Sequence, residues 1–311
     1  MIEIRSSSAT SCVRTSEVKK VSEDKKGCVH VLAKTIVTHY SPDFDGIPAI
    51  WLLKKFHPEF KGAKVAYVPA GEATYNSEPV DSNPDVVHVD TGGGKFDHHQ
   101  TDDFTCGAKL VYEWLVKEGY VKGDDEALAR LVEIVTQLDH GWDTYKWCER
   151  ADDRYEFSIH NILVGWKILN PRQDETYIQW TINALEATYK LLQLKIQAEK
   201  EIEGGLKFQT KWGRGVAVYG ANDSILDVAI KNDYALVVRK DPARRFVRIT
   251  GSNKFNVDLT RAYEMFKEKD PEATWFLHAS KVLLRNGSSR NPTMKATKLT
   301  IEEVVAILEK S

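Results

Sequence analysis

Residues 29–38 are rich in β-branched side chains and lead into Thr38-His39-Tyr40-Ser41-Pro42-Asp43-Phe44-Asp45-Gly46, a pattern that predicts a strand and its terminal loop. Residues 47–56 read as an apolar helix, and short apolar runs at 63–68 and 85–89 as two further strands. Strands alternating with helices predict a parallel sheet covered on both faces, with ligands beyond the carboxyl ends of the strands. Amphipathic helices are expected at 108–118 and 125–138, the second with Leu128, Leu131, Val132, Val135 and Leu138 at helical spacing. The pattern over 151–172 is mixed. Residues 174–203 read as one long helix, begun near Pro171 and stopped by Gly204-Gly205.

The rest of the chain alternates again. Strands are expected at 215–219, 235–239, 245–250, 275–278 and 281–284, and helices at 224–231, 257–267 and 301–309, the last with Thr300 as N-cap. The expected class is α/β. An N-terminal parallel-sheet domain spans 29–172, with helices on both faces. A connector helix spans 173–205, a smaller C-terminal α/β domain spans 206–311, and residues 1–28 form a disordered tail.

The chain has 311 residues and a formal net charge of -2, too nearly neutral for wholesale electrostatic binding to nucleic acid. The distribution is uneven: residues 31–150 carry about -8 and residues 205–311 about +7. An acidic half suits metal ions, and a basic half suits a phosphate-bearing substrate. Cys12, Cys28, Cys106 and Cys148 are scattered without a C-x-x-C pair, so neither a disulfide framework nor a zinc site is expected. They fit a reducing, intracellular setting, read here as the cytoplasm. Arg5 and Arg14 in a Ser-rich start point faintly to an organelle transit peptide, against which Glu3, Glu17 and Glu23 count. No stretch approaches the ~18 apolar residues of a membrane span.

Three clusters carry chemistry: His39, Asp43 and Asp45 in the first loop; Asp90 at the end of Val86-Val87-His88-Val89-Asp90; and Asp97-His98-His99-Gln100. All fall at the carboxyl ends of expected strands, and Asp139 follows at the end of a helix. Carboxylates and imidazoles so placed suit two divalent cations, one carboxylate bridging them, and in-line displacement at phosphorus. Asp43 and Asp45 also suit an Asx turn and a helix cap. His88 reads as a core or supporting histidine. Arg239, Lys240, Arg244, Arg245 and Arg248 form a basic hairpin that suits either a nucleic-acid backbone or plain solubility. Trp142 and Trp147 are the tryptophans nearest the site in sequence.

These motifs resemble the DHH phosphoesterase superfamily, named for the triplet that Asp97-His98-His99 reproduces. Thr38–Gly46, Val86–Asp90, Asp97–His99 and Asp139 in Gln137-Leu138-Asp139-His140-Gly141 match its four motifs in order. The chain is more similar to the exonuclease-like branch typified by the product of the melanocyte proliferating gene, through Asp97-His98-His99-Gln100, Leu169-Asn170-Pro171 and Phe276-Leu277-His278-Ala279-Ser280. The resemblance covers roughly residues 35–310.

It implies one metal on His39, Asp43 and Asp90, and another on Asp45, Asp90, His98 and Asp139. His99 would sit by the scissile phosphate, with Asp97 orienting the imidazoles. Two Mn²⁺ ions are expected, Mg²⁺ being the alternative. Two departures stand out. Pro42-Asp43-Phe44-Asp45 follows the general superfamily form rather than the modified motif of that branch. Asn286-Gly287-Ser288-Ser289-Arg290-Asn291-Pro292 replaces the branch's Gly-Gly-His turn. Arg285, Gly287, Ser288, Ser289 and Arg290 are the candidates for substrate binding, through backbone N–H groups and guanidinium forks.

The expected activity is 3′–5′ exonucleolytic cleavage of single-stranded oligonucleotides, in a monomer or a homodimer without a membrane partner. The alternatives are an inorganic pyrophosphatase, a cyclic-dinucleotide phosphodiesterase, and a non-catalytic nucleic-acid-binding protein with a relict site.

Overall fold

The computed structural model describes residues 34–71, 73–147, 150–288 and 290–311. Before them it assigns a short antiparallel pair, β1 (Ser22–Glu23) with β2 (Val29–His30). The tail expected over 1–28 lies outside the described residues apart from β1. β3 (Thr35–His39) is the centre of a three-stranded parallel sheet, between β4 (Lys64–Val68) and β5 (Val86–His88). The first expected strand is therefore shorter than 29–38. Val29 and His30 pair backward onto β1, and the parallel ladder starts with Thr35 opposite Lys64 and Val86.

Helices supply most of the first core. α1 (Gly46–Phe56) follows β3 and buries Ile47, Ile50, Trp51, Leu52 and Leu53. α2 (Gly107–Lys117) packs on α1 with Val111 and Leu115 inward. α3 (Glu126–Asp139) starts where Asp125 accepts a hydrogen bond from the Leu128 N–H (3.0 Å), satisfying a donor that the helix leaves unpaired. Its apolar stripe, Leu128, Leu131, Val132 and Val135, faces the same core. A short α4 (Trp142–Tyr145) leads to α5 (Ile159–Leu169) and then to α6 (Asp174–Glu203), about 45 Å long at 1.5 Å per residue.

The second sheet is mixed, with strand order β10-β11-β9-β8-β7-β6. It is built from β6 (Leu206–Thr210), β7 (Gly213–Tyr219), β8 (Leu236–Lys240), β9 (Val247–Gly251), β10 (Trp275–Leu277) and β11 (Leu283–Asn286). Only β7 and β8 run parallel, joined by α7 (Ser224–Lys231). α8 (Thr260–Lys269) and α9 (Ile301–Lys310) cover one face, the latter with a full capping box between Thr300 and Glu303. The α/β class is as expected.

Several local readings are corrected. β6 was not anticipated, and the helix expected at 257 begins at Thr260. Gly205, expected as a helix stop, is also a point of close approach: a Cβ there would lie 2.9 Å from Val218 Cγ2 and 3.0 Å from the Ala217 carbonyl oxygen. The basic hairpin is only in part a cationic surface: Arg244 and Arg245 are exposed, but Arg239 and Lys240 are buried. Arg239 donates to the Gly220 carbonyl (2.8 Å) and pairs with Asp223, while Lys240 donates to the Leu299 carbonyl. Among the described residues, no helix is long and apolar enough to cross a membrane.

Candidate metal centre

β3 ends on His39, and the chain turns through Ser41 at φ 56° into the loop that starts α1. Asp43 Oδ1 accepts from the N–H groups of Asp45 (2.9 Å) and Gly46 (3.2 Å), while its Oδ2 lies 3.8 Å from His39 Nε2. It forms the helix-capping turn with one oxygen and keeps the other for the site. Asp45 is fully buried and caps a different helix: its Oδ2 accepts from the Gly107 N–H (2.7 Å) and its Oδ1 from the Ala108 N–H (2.8 Å) at the start of α2. Both readings of these two aspartates, cap and site residue, thus hold together.

Asp90, just past β5, has φ 55° and is nearly inaccessible to solvent. Its N–H donates to the Phe96 carbonyl (2.9 Å), which fixes the turn. The two oxygens of its carboxylate face different partners. Oδ2 lies 3.3 Å from His39 Nε2, and Oδ1 lies 3.6 Å from His98 Nε2. His98 Nε2 also lies 3.6 Å from Asp45 Oδ2 and 3.7 Å from Asp139 Oδ2.

Three overlapping donor groups result: His39 with Asp43 and Asp90, Asp45 with His98 and Asp139, and Asp90 with His98 and His99. In each, the ligand-type atoms lie within 4.8 Å of one another. All six side chains expected to hold metal are therefore brought together, with Asp90 between the groups. Imidazole beside carboxylate oxygen is a donor set that fits a divalent metal ion.

The electrostatics describe a site charged for cations. Hydrogen bonding to Asp90 raises His39 to about 9, and the same cause raises His98 to about 9. Burial alone would raise Asp90, but its bonds to His39 and His98 outweigh this and bring it down to about 2. Burial, then the nearby charge of Asp90, pushes Asp45 up to about 8 despite the amide of Ala108. Asp139 is raised by burial as well.

Glycine keeps the centre open at two positions. A Cβ on Gly46 would lie 2.9 Å from Thr38 Oγ1 and 3.2 Å from Asp90 Oδ2, and one on Gly107 would lie 3.1 Å from Asp45 Oδ2.

His99 stands at the rim with its side chain 65% exposed, and its Nδ1 lies 2.6 Å from Asp97 Oδ1. Asp97 is itself held by the N–H groups of Gly93 (2.7 Å) and His99 (3.1 Å). A carboxylate at Nδ1 places the ring proton there and leaves Nε2 as the outward atom. Asp97 thus orients His99 rather than both imidazoles. His88 accepts from the Tyr75 N–H at Nε2 (3.0 Å) and is a supporting residue. His140 Nδ1–H donates to the Thr136 carbonyl (2.9 Å), and its ring packs at a tilt against Phe104, which stacks in turn on Trp142.

Some supporting groups carry no motif. Lys167 of α5 donates to the carbonyls of Ser41 and Pro42, both at 2.7 Å, and Asp174 accepts from the Ser41 N–H (3.1 Å). The corner between α5 and α6 thereby clamps the loop that carries Asp43 and Asp45. A lysine in a patternless segment 125 residues away gives no sequence signal for this.

The candidates at the C-terminal sheet divide. Arg285 is exposed on β11 and lies in register beside Arg248, which lies beside Arg239. Arg290 is exposed, and its N–H donates to Ser288 Oγ (3.1 Å). Gly287 is buried at φ 80° with Phe246 against its α-carbon, so it forms the turn instead of facing a substrate. Ser289 lies outside the described residues.

No family model matches this chain, and no curated protein matches it. Among solved structures, it is similar to an exopolyphosphatase-related protein from Bacteroides fragilis, at 12% identity and a TM-score of 0.24, over 89% of this chain and 91% of that one. A likeness of that degree carries no argument for this chain, whose reading rests on its own residues.

Proposed function

We propose that this chain is a divalent-metal-dependent phosphoesterase of the DHH superfamily, nearest the exonuclease-like branch, which shortens single-stranded oligonucleotides from the 3′ end. One observation carries the reading: Asp90 presents one carboxylate oxygen to each of two imidazole–carboxylate groups. A fold gains nothing by burying clustered carboxylates unless cations compensate them.

His39, Asp43 and Asp90 would hold one ion, and Asp45, Asp90, His98 and Asp139 the other. When bound, two Mn²⁺ ions supply charge neutralisation and an acidified water for attack at phosphorus. His99, its Nδ1–H held on Asp97, leaves Nε2 free, and a proton carried there would neutralise a phosphoryl oxygen or be delivered to the leaving group. The site domain is taken as residues 29–172 and the substrate domain as 206–311, linked through 173–205. Arg285 and Arg290 are the groups assigned to grip the substrate phosphates, supported by their exposure and by the neighbouring Arg248.

Metal-stripped protein with Mn²⁺ restored is incubated with a 5′-labelled single-stranded oligonucleotide and, separately, with pyrophosphate. A ladder shortening from the 3′ end is expected. Phosphate release from pyrophosphate without a ladder would move the activity to a small phosphoanhydride at the same centre. No turnover of either substrate, or of a cyclic dinucleotide, in Mn²⁺ or Mg²⁺ would overturn the enzyme reading.

A further inference from the structure

α5 is apolar nearly all round, Ile159-His160-Asn161-Ile162-Leu163-Val164-Gly165-Trp166-Lys167-Ile168-Leu169, yet only Leu163 of it is fully buried among the described residues. A helix of that composition belongs in an interior. Its inner side is committed to the metal centre: Lys167 clamps the carbonyls of Ser41 and Pro42, and the His160 ring sits edge-on to Phe44, 5.2 Å between centroids. Its outer side is a stripe. Ile159, Ile162, Trp166 and Leu169 recur at helical spacing, and the Trp166 ring stacks on Trp180 of α6 at 6.2 Å. Ile159 is 47% exposed, Ile162 48%, Leu169 81% and Trp180 54%.

We infer that this stripe is the interface of a two-fold homodimer, in which α5 of one protomer lies antiparallel against α5 of the next. The area supports it. The stripe exposes on the order of 500 Å² of apolar surface, at the upper end of what a monomer's largest patch shows. Pairing it with its own copy removes roughly twice that, about the 1,000 Å² that a specific interface must clear.

The charge pattern supports a second copy in particular. Asp152, Asp153, Arg154 and Glu156 precede the helix and Arg172 and Glu175 follow it, all exposed. An antiparallel two-fold pairing sets Asp153 and Glu156 of each copy against Arg172 of the other, and Arg154 against Glu175, and an isologous contact requires that self-complementarity. A membrane surface fits less well, since an interfacial helix carries Lys and Arg along its polar flank and here the flanking charges are of mixed sign. Because the same helix clamps the loop of Asp43 and Asp45, pairing would also stiffen the metal centre.

The test is sedimentation velocity of the full chain from 1 to 100 µM, with and without Ile162→Glu plus Leu169→Glu. The native chain is expected as a dimer. The double variant is expected as a monomer that retains its helical circular dichroism, because both side chains face outward. A native chain monomeric throughout the range overturns the inference, as does a double variant that stays dimeric. A native chain that is monomeric in buffer but floats with anionic vesicles also overturns it, in favour of a lipid surface. A second measurement reads the coupling: Mn²⁺ affinity, by equilibrium dialysis, should be weaker in the monomeric variant. These readouts depend on assembly and metal binding alone, so they stand or fall separately from the phosphoesterase assignment.

Discussion

Asp90 occupies a left-handed backbone conformation, φ 55°, which costs a non-glycine residue about 1–3 kcal/mol. The strain aims a carboxylate between His39 and His98, a direction that a relaxed strand end would not give. Asp90→Asn keeps the shape and removes the shared charge. Elemental analysis of that variant should show loss of bound Mn²⁺, and its turnover should fall to background. Full activity with two ions bound would remove Asp90 from its bridging role.

Protons occupy the centre when cations do not. His39 and His98, raised to about 9 from 6.5, stabilise the metal-free fold fully below about pH 6.5. That contribution is lost as the pH rises through 9. Asp45, raised to about 8, works in the same direction, since its ionisation in the fold is disfavoured as the pH rises. Asp90, lowered to about 2, loses its contribution only in strong acid. The melting temperature of EDTA-treated protein should therefore fall between pH 6.5 and 9, while added Mn²⁺ stabilises increasingly over that range and releases protons on binding. Parallel melting curves with and without Mn²⁺ would contradict this. Asp97→Asn, which frees the His99 ring, should reduce turnover by roughly 10–100-fold while leaving two ions bound.

At the scale of elements, the centre is assembled from helix ends. Asp45 links the first turn of α1 to the first amides of α2, and Lys167 links the last turn of α5 to the loop before α1. Lys167→Met removes two charge-assisted bonds to backbone carbonyls without touching a metal-type residue. Mn²⁺ affinity should weaken by about 10–100-fold, the usual scale for a group that orients ligands. Unchanged affinity by isothermal titration would show that the loop holds itself.

These elements also mark what the sequence could and could not tell. The helix Asp174–Glu203 was legible to the residue, since Pro171 stands before it and Gly204-Gly205 stop it, and the six metal-type residues were legible because short motifs encode them. The cap from Asp45 to α2 was not, because it spans 62 residues and joins two groups that each look locally complete. β6 was missed because Leu206-Lys207-Phe208-Gln209-Thr210 buries only Phe208 and Thr210 and follows a helix directly. The first strand was overextended because β-branched side chains at Val29 and Val31 signal a strand without saying which partner takes it. Arg239 and Lys240 read as surface charge because sequence cannot show that Gly220 and Leu299 offer carbonyls inside.

At the scale of the molecule, α6 is less a flexible tether than a shared wall. Its first half buries Tyr177, Ile178 and Leu185 in the core under the parallel sheet. Its last turns bury Ala198 and Ile202 against Val216, Val218, Ile225 and Val237 of the second sheet layer. At the same level Glu199 takes Arg130 of α3 through two bonds, 3.1 and 2.8 Å, and the Asn222 side chain donates to the Leu194 carbonyl (2.7 Å). The helix is thus fastened from both sides within a single stretch, and Gly205 packs tightly on β7. Unfolding either half would strip apolar cover from α6 and weaken the other. Calorimetry of the metal-free protein should accordingly show one cooperative transition. Ile202→Ala, which opens a cavity costing about 2–5 kcal/mol, should lower that single melting temperature as a whole. Two resolved transitions, with the substitution moving only the one that belongs to the second sheet, would show instead that the halves are independent bodies able to swing about the end of α6.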